Sequence, residues 1–95
     1  MPRSLSPQQV WAAVQRGELR ILDLRSEPER RRHGAPPGAI PVSLPRHAAR
    51  PAGGDAVYLC QHAVRSKLTG RRGAAEVAGG FVAWRAAGLP VEQIT

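Results

Sequence analysis

The sequence predicts an α/β domain built on a central, mostly parallel sheet with helices on both of its faces. Two observations carry this expectation. Short runs of branched apolar residues alternate along the chain with segments bearing helix-start and helix-stop signals. The 95 residues can enclose one core and leave no room for a second, so residues 1–95 are expected to form a single domain.

Taken in order, "SPQQVWAAVQRGE" reads as the first helix. Ser6 can cap it, Pro7 suits the first helical position and Gln9 completes a capping box. Val10, Trp11 and Val14 share a face, and Gly17 can stop the helix in a left-handed turn. "RILDLR" (20–25) fits a buried strand. "SEPERRRHG" (26–34) reads as a charged loop with one helical turn, its three consecutive arginines solvated. The four prolines of "APPGAIPVSLP" (35–45) allow only a short strand around Ile40–Leu44. A loop over 46–55 leads to "AVYLC" (56–60), a strand ending at the single cysteine. "RSKLTGRR" (65–72) can form a short helix, "AAEVAGG" (74–80) a short strand and "FVAWRAAG" (81–88) a final helix. Phe81, Val82 and Trp84 supply its apolar side, and Gly88 its stop.

Composition narrows the function. The net charge is +7, from thirteen arginines and one lysine against seven acids. That balance favours anionic partners, but the arginines are scattered and read mainly as solvated surface. Only four aromatics are present, at least two with a core pattern. No base-stacking surface is evident, which argues against nucleic acid as the partner. A single cysteine excludes an internal disulfide and offers no thiol pair for metal. The amino terminus lacks the apolar stretch of a signal peptide and no segment reaches membrane-spanning length, so a reducing cytoplasmic setting is expected.

Cys60 stands where a strand should give way to a tight loop and a helix. Loop N–H groups and a helix amino terminus at such a junction can hold an anion, either the thiolate or an oxyanion beside it. Arg65, five residues on, adds a permanent cation able to fork two hydrogen bonds. A buried structural cysteine that happens to precede an arginine is the plainer alternative.

"CQHAVRS" resembles the active-site loop of the rhodanese-like sulfurtransferases. "ILDLRSEPER" is similar to that family's aspartate-x-arginine strand and acidic turn, carried by Asp23 and Arg25. "GAPPGAIPVSLP" resembles its Gly-His-Ile-Pro-Gly-Ala segment, and "VAGGFVAWRAAGLPV" its closing Gly-Gly, tryptophan, Gly-Leu-Pro pattern. The resemblance runs in order over nearly the whole chain. It implies a small rhodanese-like domain in which Cys60 carries sulfur as a persulfide. Loop residues Gln61, His62, Ala63, Val64, Arg65 and Ser66 would cradle the sulfur and the donor's oxyanion, with Asp23 and Arg25 in support. A thiosulfate-like anion would be the donor and a thiol or protein the acceptor, with neither metal nor organic cofactor required. Related phosphatases use a loop one residue longer than the six residues from Cys60 through Arg65.

The chain departs from the pattern at several places. Ala63 stands where glycine is usual, and His62 where a small residue is common. Ala35 stands where the Gly-His-Ile-Pro histidine would be, and His33 precedes Gly34 instead. Twelve residues separate Ser66 from Gly79, so the helix after the loop must be shortened. A sheet face left partly bare could be covered by a second copy, as a homodimer, or by a partner domain. A non-catalytic rhodanese-like binding module is the alternative function.

Overall fold

A computed structural model of the protein describes residues 3–43, 45–46, 53–62 and 75–94. Among these residues the chain runs β1 (Arg3–Leu5), α1 (Pro7–Gln15), β2 (Arg20–Asp23), α2 (Glu27–His33), β3 (Ile40–Pro41), β4 (Ala56–Leu59), β5 (Ala75–Val77) and α3 (Gly80–Ala86). The five strands form one sheet in the order β1-β5-β4-β2-β3, and every pairing is parallel. The expected α/β architecture is present, with β4 as its middle strand.

Local chemistry explains the helices. At α1 the Gln9 N–H donates to Ser6 Oγ while Gln9 Oε1 accepts from the Ser6 N–H, completing the capping box. Gly17 follows at φ 75°. The second helix differs from expectation, because the segment read as a loop with one turn is a seven-residue helix. Ser26 and Glu29 repeat the same box, with Glu27 and Glu29 in the first turn and Arg30–His33 in the last. Those charges complement the helix dipole. The three-residue β1 has no counterpart in the sequence reading. It lies at the sheet edge against β5, with Ser4 Oγ donating to buried Glu76.

Alternation along β4 divides the core. Val57 and Leu59 join Val10, Ile21, Ala75, Val77, Phe81 and Trp84 on the face covered by α1 and α3. Ala56 and Tyr58 join Leu22 and Leu24 on the other. Trp84 is fully buried, meets Trp11 edge-on at 5.9 Å and donates from its indole to the Pro90 carbonyl. The shortened helix expected over 65–72 lies outside the described residues.

Near the carboxyl terminus, Ala35 and Glu92 exchange two main-chain hydrogen bonds of 2.9 and 2.7 Å. This bridge ties the segment after α3 to the segment after α2.

Candidate functional site

Parallel pairing of β2 with β4 sets Asp23 beside Leu59, and the Leu24 N–H donates to the Leu59 carbonyl. The residues that follow, Arg25 from one strand and Cys60–Gln61 from the other, therefore emerge together at the carboxyl end of the sheet. Such ends are where open parallel sheets place their sites.

Cys60 is 1% exposed and in no disulfide. Its carbonyl accepts the Phe81 N–H at 2.8 Å, and the Gln61 carbonyl accepts the Val82 N–H at 3.2 Å. First-turn amides of a helix lack intrahelical acceptors, and here the two loop carbonyls supply them. Across a trans peptide the next N–H points opposite to the carbonyl. The amides of Gln61 and His62 thus face away from α3. The Gln61 side chain is half-buried and His62 is exposed. Ala63, Val64, Arg65 and Ser66 lie outside the described residues.

Beside this loop sits a buried ionic knot. The Asp23 and Arg25 side chains are both fully enclosed. Asp23 accepts from the Arg25 main chain (3.0 Å), from Arg25 Nε (3.0 Å) and Nη2 (2.8 Å), and from Arg30 Nε (3.1 Å). Arg25 also donates to the Gly34 carbonyl at 2.7 Å and to Gln61 Oε1 at 3.4 Å. Its guanidinium carbon lies 4.1 Å from the centroid of the Phe81 ring. Arg30 corrects an expectation: it belongs to the arginine triplet read as solvated, yet it is 7% exposed, while Arg31 and Arg32 face solvent. A partner seven residues upstream holds it inside, and no local pattern announces such a pairing. The only sequence signal was the Ser26–Glu29 capping box, which fixes the helical phase of Arg30.

At the opposite end of β2, Arg20 forks two hydrogen bonds to Asp55 at 3.0 and 3.1 Å. The bond from Arg20 holds the Asp55 carboxyl below its ordinary range, and Arg16 does the same to Glu18. A concavity of about 450 Å³ is lined by Leu5, Gln9, Ala13, Arg16 and Leu19 among others, and none of Cys60, Gln61 and His62 borders it. Among the described residues, no group of three or more His, Cys, Asp or Glu side chains could hold a metal ion. No described helix is long and apolar enough to cross a membrane.

The all-parallel five-stranded sheet superposes on those of several solved structures, which identify the fold. A rhodanese-related protein from Thermoplasma volcanium superposes with a TM-score of 0.78 at 21% identity, over 95% of this chain and 97% of that one. A protein of unknown function from Rhodopseudomonas palustris, described as a possible tyrosine phosphatase, gives a TM-score of 0.78 at 27% identity, over 96% and 85%. A thiosulfate sulfurtransferase from Pseudomonas aeruginosa gives 0.75 at 23% identity, over 98% of this chain but 20% of that one. No protein-family model and no curated protein sequence matches the chain. The chain has the rhodanese-like fold.

Proposed function

We propose that the protein is a sulfurtransferase that loads sulfane sulfur onto Cys60 and passes it to a thiophilic acceptor. The observation that carries this reading is the position of Cys60. It directly follows the middle strand of a rhodanese-like sheet, and its carbonyl is pinned by α3, so that the following amides face away from that helix. Arg65 lies five residues on, at the spacing the resemblance assigns to a donor-binding arginine.

In the first step the Cys60 thiolate attacks the outer sulfur of thiosulfate. A new S–S bond forms, the old one breaks, and sulfite leaves with the electron pair. The second step passes the terminal sulfur to a nucleophile such as cyanide or a cellular thiol, and the Cys60 thiolate returns. Such two-step covalent transfer gives ping-pong kinetics. Backbone amides and Arg65 would stabilise the anionic persulfide and the departing sulfite.

Incubation with thiosulfate, followed by intact mass measurement, should show one added sulfur atom that cyanide removes, and Cys60→Ser should show none. A wild-type protein that stays unlabelled sinks the proposal. The near-complete burial of Cys60 favours a second reading, a binding module whose cysteine is structural. An inert thiol in the same experiment would select it. The phosphatase description of the Rhodopseudomonas relative carries less weight here, because the Cys60-to-Arg65 loop is one residue shorter than phosphatases use.

A further inference from the structure

Gln61 is the first residue after the cysteine, and its side chain turns back toward the ionic knot. We infer that this side chain is a tether: Arg25 grips Gln61 and so holds the Cys60–Gln61 segment in place. Arg25 and Gln61 are then positioning residues for Cys60, and the Gln61 side chain is not a substrate contact. The inference rests on the sulfurtransferase reading only for the reaction the tether serves.

Arg25 is suited to the task because it cannot move. Asp23 takes its Nε and Nη2, the Gly34 carbonyl takes Nη2 again, and the guanidinium carbon sits over the Phe81 ring. What remains is Nη1, which reaches Gln61 Oε1. The same arginine therefore secures the loop from two sides. It holds Gln61 through the side-chain oxygen, and it packs on Phe81, whose N–H holds the Cys60 carbonyl. At 3.4 Å the bond to Gln61 is the longest that Arg25 makes among the described residues. It is the contact that can yield without opening the buried ion pair. Cys60 is 1% exposed, so the rate at which it is alkylated reports how firmly the Cys60–Gln61 segment is held.

Cutting the tether should loosen the Cys60–Gln61 segment, with opposite effects on two readouts. In Gln61→Leu, which keeps the bulk and removes the acceptor, alkylation of Cys60 by iodoacetamide should become several-fold faster. At the same time kcat/KM for thiosulfate should fall roughly ten- to hundredfold, because the thiol is no longer held in line with the donor. Gln61→Glu keeps the acceptor oxygen and should alkylate no faster than wild type. Arg25→Lys should resemble Gln61→Leu, and combining the two should add little, as expected of residues acting through one contact. If Arg25→Lys does not fold, the two Gln61 variants decide alone. Wild-type alkylation of Gln61→Leu overturns the inference, as does Gln61→Glu alkylating as fast as Gln61→Leu. Should wild type take up no sulfur from thiosulfate, the functional proposal fails, while the alkylation comparison needs no donor and still decides the tether.

Discussion

Replacing Gly34 with alanine should be among the most damaging single-methyl additions in the protein. Gly34 sits at φ 78°, ψ −172°, a combination essentially confined to glycine. A Cβ there would lie 2.6 Å from both the Glu92 carbonyl oxygen and Val91 Cγ1. Backbone strain of this kind costs about 1–3 kcal/mol. Relief of the clash must push the Val91–Glu92 segment away and loosen the two Ala35–Glu92 hydrogen bonds, each worth about 1 kcal/mol net. Together these come to about 3–5 kcal/mol, against a total stability of roughly 5–14 kcal/mol for a chain of this size. In urea unfolding followed by tryptophan fluorescence, the midpoint should drop by about 2–4 M. Gly38→Ala provides the internal control, since Gly38 has φ 79° but open space around its missing Cβ. It should lose only the cost of the left-handed backbone, about 1–2 kcal/mol. If Gly34→Ala is no worse than Gly38→Ala, the close approach of the carboxyl-terminal segment is wrong.

Two further outcomes follow from the same geometry. Ser26→Ala removes the cap of α2 and should destabilise the domain by about 1 kcal/mol, measured as a lower urea midpoint. Loss of less than a few tenths would mean that the Ser26–Glu29 box does not support α2. The Asp55 carboxyl is depressed by its bond from Arg20, so its contribution is present above the ordinary aspartate value, about 3.9, and is lost as pH falls through the lower native value. The small stability gap between wild type and Asp55→Asn should therefore close on acidification in that window, and a gap that stays constant would exclude the pairing as its cause.

Much of the fold could be read directly because its signals are local. The Ser6–Gln9 box, the apolar runs at 20–25 and 56–60 and the Phe81–Trp84 helix all depend on neighbours within a few residues. Where the reading stopped short, the deciding contact was distant or the local pattern was masked. The α2 box has the same form as that of α1, but the helix carries no apolar stripe, and its run of arginines reads as solvent-facing. β1 has three residues and owes its existence to pairing with β5, some seventy positions away. At the site, the position of Cys60 followed from a strand end and Asp23 was singled out by the resemblance alone, whereas the roles of Arg30 and the Gln61 side chain needed the third dimension.

The knot bears on the proposed chemistry through its charge. Two guanidinia, Arg25 and Arg30, converge on one buried carboxylate, Asp23, so the enclosed groups carry one more positive charge than negative. Glu27 reaches Arg30 at 3.3 Å, but its side chain is 56% exposed and water screens most of its share. Charge inside a protein is screened far less than charge at its surface. The surplus lies at the end of β2, next to the loop that follows Cys60, and the arginine nearest that loop is the one that grips it. An anion held there, whether thiolate, persulfide or departing sulfite, would therefore be favoured by buried positive charge in addition to Arg65. On this reasoning, replacing Arg65 should weaken donor binding without abolishing it, because the field of the knot does not depend on the loop arginine.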